Sequence, residues 1–74
     1  MKTYLTVYFS SEGAKPSTVT DALLDLGFKA TRGPHDFVYE WADAREVQDL
    51  VWFADKVHAA LEGNQVLYKL ETVG

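Results

Sequence analysis

The sequence predicts an α+β domain made of one four-stranded antiparallel sheet and two helices. Three observations carry that expectation. Two stretches repeat apolar residues at the helical spacing of three and four. Four others alternate apolar and polar residues at the strand spacing of two, and the six follow one another as strand, helix, strand, strand, helix, strand.

The first strand is expected over residues 3–10, TYLTVYFS, where Leu5, Val7 and Phe9 share one face and Tyr4, Thr6 and Tyr8 the other. A first helix runs from Thr18 to Leu26, because Val19, Ala22, Leu23 and Leu26 recur at i, i+3, i+4 and i+7, with Ser17 as N-cap and Gly27 as the stop. Phe28 to Arg32 and Phe37 to Trp41 then form a hairpin around Gly33-Pro34-His35-Asp36, where Pro34 suits the second position of a type I turn. With Gly33 facing Asp36, Arg32 pairs with Phe37, Ala30 with Tyr39 and Phe28 with Trp41 on the inner face, while Lys29 meets Glu40 and Thr31 meets Val38 on the outer one.

Asp43 followed by Glu46 is a capping-box-like signal that opens a long helix from Ala44 to about Glu62, closed by Gly63 and Asn64. Its core stripe is Val47, Leu50, Val51, Ala54, Val57 and Leu61, and Trp52 falls roughly opposite. The last strand, Val66 to Thr72, sets Val66, Tyr68 and Leu70 against Leu67, Lys69 and Glu71.

The handedness of split crossover units puts both helices on one face of a sheet ordered 4-1-3-2. This arrangement resembles the ferredoxin-like superfold, over the whole chain as a single domain, residues 1–74, and by pattern without a diagnostic motif. That superfold carries many unrelated functions, so function has to come from the sites.

Seventy-four residues, 47% apolar and 24% charged, suit one small globular domain. No apolar run approaches the ~18 residues of a membrane span, and the start MKTYLTVYFSSEG has no convincing small-residue cleavage site. A cytoplasmic protein without a membrane partner is the expectation. The absence of cysteine excludes disulfides, thiolate metal sites and a cysteine nucleophile. A net charge of −4 argues against nucleic acid, whose non-specific binding depends on neutralising phosphates. The helices and their caps are acidic, with Asp21, Asp25, Asp43, Glu46, Asp49, Asp55 and Glu62 against Arg45 and Lys56.

TRGPHDF, residues 31–37, brings Arg32, His35 and Asp36 together, but no group that would orient the histidine ring is visible in sequence, and the segment is read as a turn. His35 and His58 lie in different elements without ligand spacing, so no metal or other cofactor is expected, and His58 is read as a packed or capped side chain at the edge of the helical stripe.

SSEGAKPST, residues 10–18, has Gly, Lys and Ser, but Pro16 separates Lys15 from Ser17, which a phosphate loop does not allow. A helix start beside Lys15 could attract an anion, and Gly13, Lys15 and Ser17 are the candidate ligand-binding residues. The same loop resembles the glycine-containing turn of ACT regulatory domains, which implies a small ligand held at a subunit interface. The family's aspartate–x–proline–glycine pattern is absent, and Gly13 is the one position carried over. Arg32-Gly33 with Phe37-Val38 resembles the strand-three signature of RNA-recognition motifs, but with one residue too many between the pairs and Glu40 in an aromatic's place.

The uncovered face of the sheet is expected to carry Tyr4, Thr6, Tyr8, Val38 and Leu67, an apolar patch of the kind that marks a contact surface, and Trp52 offers a second patch on the helices. The expected function is therefore non-enzymatic: a domain acting through protein contacts, as a homodimer joined through the open sheet face. A small-ligand domain of the ACT-like kind and a weak single-stranded nucleic-acid binder are the alternatives.

Overall fold

The computed structural model describes residues 1–43 and 46–74. In chain order the elements are β1 (Lys2–Tyr8), α1 (Pro16–Asp25), β2 (Lys29–Ala30), β3 (Phe37–Glu40), α2 (Val47–Leu61) and β4 (Leu67–Val73). The strands form one antiparallel sheet ordered β2-β3-β1-β4, which is the expected 4-1-3-2 order read from its other end. The α+β class holds, and the architecture is compatible with a ferredoxin-like topology.

One hydrophobic cluster joins Leu5, Val7 and Phe37 of the sheet to Val19 and Leu23 of α1 and to Phe53, Val57 and Leu61 of α2, so both helices cover the same face. The odd-numbered residues of β1 point into it. Thr3 is the polar member of that row, and it is satisfied: Trp41 Nε1 donates to Thr3 Oγ1 at 2.8 Å, and Thr72 Oγ1 lies 2.9 Å away.

Several local expectations are corrected. The first strand stops at Tyr8, and Phe9 is exposed rather than inward, because β4 reaches no further along β1 than the Tyr8–Leu67 pair. Helix α1 starts earlier than expected. Lys15 is its N-cap and Pro16 its first residue, leaving Ser17 inside the first turn, since the fixed φ of proline favours that first position. The last strand is shifted by one residue and includes Val73.

The hairpin is slipped by two residues. Lys29 pairs with Val38 and Ala30 with Phe37, and Thr31 N donates to Asp36 O at 3.0 Å, so the loop between them is longer than a four-residue turn closed by Gly33 and Asp36. A slip of two keeps every side chain on its expected face. It shortens β2 to two residues, and Lys29 still reaches Glu40, diagonally, at 3.8 Å.

Helix α2 corrects the largest expectation. Its N-cap is Glu46, whose backbone N–H donates to Asp49 Oδ2 at 3.2 Å, not Asp43; the expected first turn at Ala44 and Arg45 lies outside the described residues. Val47 and Val51 of the expected stripe are exposed, and Phe53, missing from it, is 5% exposed. The buried side is turned by roughly 50° at 100° per residue. Packing selects that rotation: the Phe53 ring lies 4.3 Å from Tyr39, 5.2 Å from Trp41 and 5.5 Å from Phe28 by centroids. Tyr39 in turn rests over Gly27, where a Cβ would stand 2.9 Å from its Cε1.

Candidate functional site

With both helices on one side, the other side of the sheet is uncovered. All four strands populate it, β2 through Lys29 opposite Val38. β1 contributes Lys2, Tyr4, Thr6 and Tyr8, and β3 contributes Val38 and Glu40. β4 contributes Leu67, Lys69, Glu71 and Val73, each opposite an even-numbered residue of β1. The expected contact residues Tyr4, Thr6, Tyr8, Val38 and Leu67 are thus brought onto one surface.

That surface is divided into three zones. At one end Glu40 holds two cations, with Lys2 Nζ at 3.6 Å and Lys29 Nζ at 3.8 Å. In the middle His35 folds down from the β2–β3 loop. Its ring stacks on Tyr4 at 4.6 Å between centroids, its Nδ1 lies 3.4 Å from Thr6 Oγ1, and its Nε2 lies 3.5 Å from Glu71 Oε2. At the far end Tyr8 and Leu67 face each other across β1 and β4, 57% and 75% exposed.

His35 is the residue that sequence reasoning missed. Read as part of a turn with no orienting partner, it has three neighbours on the open face. Asp36 explains how the loop is anchored: its backbone N–H donates to Leu5 O at 3.1 Å, and its Oδ2 accepts from Val7 N at 2.9 Å. A carboxylate thereby continues the β1–β3 ladder one step past Phe37. Only the separation of these residues from β1 in sequence hid this, since no local pattern states which strand a loop will lean on.

The remaining candidates lie apart. Trp52 is exposed on α2, and Lys56 Nζ lies over its ring at 5.0 Å, so a lysine one turn on covers part of it. Gly13 sits against the α2–β4 connection: a Cβ there would stand 2.6 Å from Asn64 O and 2.7 Å from Gln65 O, and Ala14 N donates to Asn64 O at 2.9 Å. Close backbone approach accounts for that glycine. Lys15 and Ser17 are exposed beside it. A shallow cleft of about 300 Å³ lies at the end of α2 and along the same α2–β4 connection, lined by His58, Leu61, Glu62, Gln65, Val66 and Tyr68. His58 is exposed there rather than packed.

Among the described residues no three histidines or carboxylates converge as they would around a metal ion, and no helix is long and apolar enough to cross a membrane. No protein-family model, no curated protein and no solved structure matches the chain.

Proposed function

We propose that this chain is a ferredoxin-like, non-enzymatic domain that works through protein contacts and associates with a second copy of itself through the open face of its sheet. The observation that carries the reading is the Tyr8–Leu67 pair, two large apolar side chains opposite each other and exposed on a surface no helix covers. Apolar area of this kind is stabilised by a partner's side chains at roughly 25 cal/mol per Å² removed from water.

Charge favours a protein over a nucleic acid. Two cations of the open face, Lys2 and Lys29, already lie against Glu40, so a phosphate would have to compete with a carboxylate for both. Stacking platforms are likewise reduced, because Tyr4 already stacks with His35.

Sedimentation up to about 0.5 mM tests the proposal, since a dissociation constant tighter than ~0.1 mM shows clearly there. The expected result is a species near twice 8.3 kDa that the paired change Tyr8→Ser, Leu67→Ser converts to monomer. A monomeric parent at that concentration, or a dimer indifferent to both changes, would overturn it.

A further inference from the structure

The two edges of the sheet differ. One edge is β2, two residues long and followed by Gly33-Pro34. The other is β4, seven residues with an unbroken ladder to β1, no proline and no bulge. Among the described residues its outer side meets no backbone partner. An exposed edge of that length is a template for another strand unless something blunts it.

The backbone groups available on that edge follow from β1. Leu5 O accepts from Asp36 N and Val7 N donates to Asp36 Oδ2, so the odd-numbered residues of β1 direct their backbone groups toward β3. The even-numbered ones therefore bond to β4, at Leu67, Lys69, Glu71 and Val73. Tyr68, Leu70 and Thr72 are left with N–H and C=O directed outward.

We propose that two copies pair antiparallel along this edge with Leu70 opposite Leu70 of the second copy, joining two four-stranded sheets into one. The inference rests on the self-association reading above but places the seam at the sheet edge rather than face to face, with Leu67 in the seam and Tyr8 one strand away from it. In that register Lys69 of each copy stands opposite Glu71 of the other, and Leu67 opposite Val73, all on the open face. Leu67 and Val73 are 75% and 53% exposed in the single chain, so each covers an apolar partner. Tyr68 meets Thr72 and Leu70 meets itself on the helical side. About six backbone hydrogen bonds form, two for each of three bonded pairs.

Charge fixes the register as well as the partner. Moving the pairing by two residues in one direction sets Lys69 against Lys69 on the two-fold axis, and in the other direction Glu71 against Glu71. Moving it by one puts side chains of one copy's open face beside the other's helical face. Among registers within two residues of it, the Leu70-centred one avoids all three faults, larger shifts leave fewer residues of β4 paired, and its contacts are reciprocal, as a two-fold interface requires. His35 uses Glu71 Oε2, which leaves Oε1 for the incoming lysine.

Charge reversal tests this directly. Lys69→Glu places two like-charged pairs across the axis, and so does Glu71→Lys, so each variant alone should associate at least about tenfold more weakly than the parent. An equal mixture of the two should associate again, since each supplies the charge the other lacks, and the double variant should recover too. On the unaltered chain, the amides of Tyr68, Leu70 and Thr72 should gain exchange protection as concentration rises. Single reversals that dimerise like the parent, a mixture no stronger than its components, or unchanged protection at those three amides would each refute the edge pairing. A dimer that survives the reversals but dissociates with Tyr8→Ser, Leu67→Ser leaves the broader reading standing without this one, and a monomeric parent removes both.

Discussion

Replacing Phe53 by leucine separates the observed rotation of α2 from the one its apolar pattern suggests. Phe53 is 5% exposed and its ring contacts Phe28, Tyr39 and Trp41. Truncation to alanine would cost about 3–5 kcal/mol, against a total of roughly 4–11 kcal/mol for a domain of this length at 0.05–0.15 kcal/mol per residue. Such a variant risks having no folded baseline. Leucine keeps most of the buried area and loses the ring–ring geometry, worth about 0.5–1.5 kcal/mol per pair. Because the three contacts share one ring, the loss should stay near 1.5 kcal/mol rather than their sum. Val51, 55% exposed, should respond differently. Val51→Ala removes little buried surface and gains helix propensity, so its net effect should lie within about 0.5 kcal/mol of zero. Urea unfolding followed by far-ultraviolet circular dichroism reads both. With a slope near 1 kcal/mol per molar, the Phe53→Leu midpoint should fall by about 1.5 M and that of Val51→Ala by less than about 0.5 M. A larger loss at Val51 than at Phe53 would mean that α2 buries Val47, Val51 and Ala54 instead, and the account of the core would be wrong.

Two further changes probe loop contacts, one beneath the open face and one at the α2–β4 connection. Asp36→Ala removes the acceptor for Val7 N and should cost about 1–3 kcal/mol in thermal or urea melts, whereas Asp36→Asn, which keeps a carbonyl oxygen, should retain part of it; equal losses in both would show that the side-chain acceptor is immaterial. Gly13→Ala sets a methyl against Asn64 O and Gln65 O and should lower stability by about 1–3 kcal/mol; an unchanged melting midpoint would return Gly13 to consideration as a ligand-binding residue.

The faces of β1 and β4 were legible because strand periodicity is two and one side must be buried. Once Leu5 and Val7 point inward, Tyr4, Thr6 and Tyr8 cannot. The hairpin register was not legible to the residue. Alternatives two apart leave the same side chains inward, and choosing between them depends on the β1 contacts of Asp36. In α2 the pattern itself is ambiguous, since Val47, Leu50, Val51, Trp52 and Phe53 occupy most of the helix circumference. Three aromatic rings from elsewhere in the chain decide among them, and a window of one helix does not contain that information. The same holds for His35, whose neighbours Thr6 and Glu71 lie far from it in sequence.

The unequal edges also bear on where association would stop. A sheet with two long free edges can add copies at both, β2 of one against β4 of the next, and such a head-to-tail contact propagates without closing. Here β2 offers two residues, and the chain leaves it through Gly33, at a φ of +96°, and Pro34, which has no N–H to donate. That edge is too short to template a seven-residue strand. β4 is long but pairs favourably with itself, and self-pairing consumes it in both copies at once. Association through β4 would therefore end at two chains, with the short β2 edges at the outer limits of an eight-stranded sheet. Sedimentation at rising concentration should then show monomer and dimer alone, and a series of larger species would mean that β2 or the open face takes a further copy.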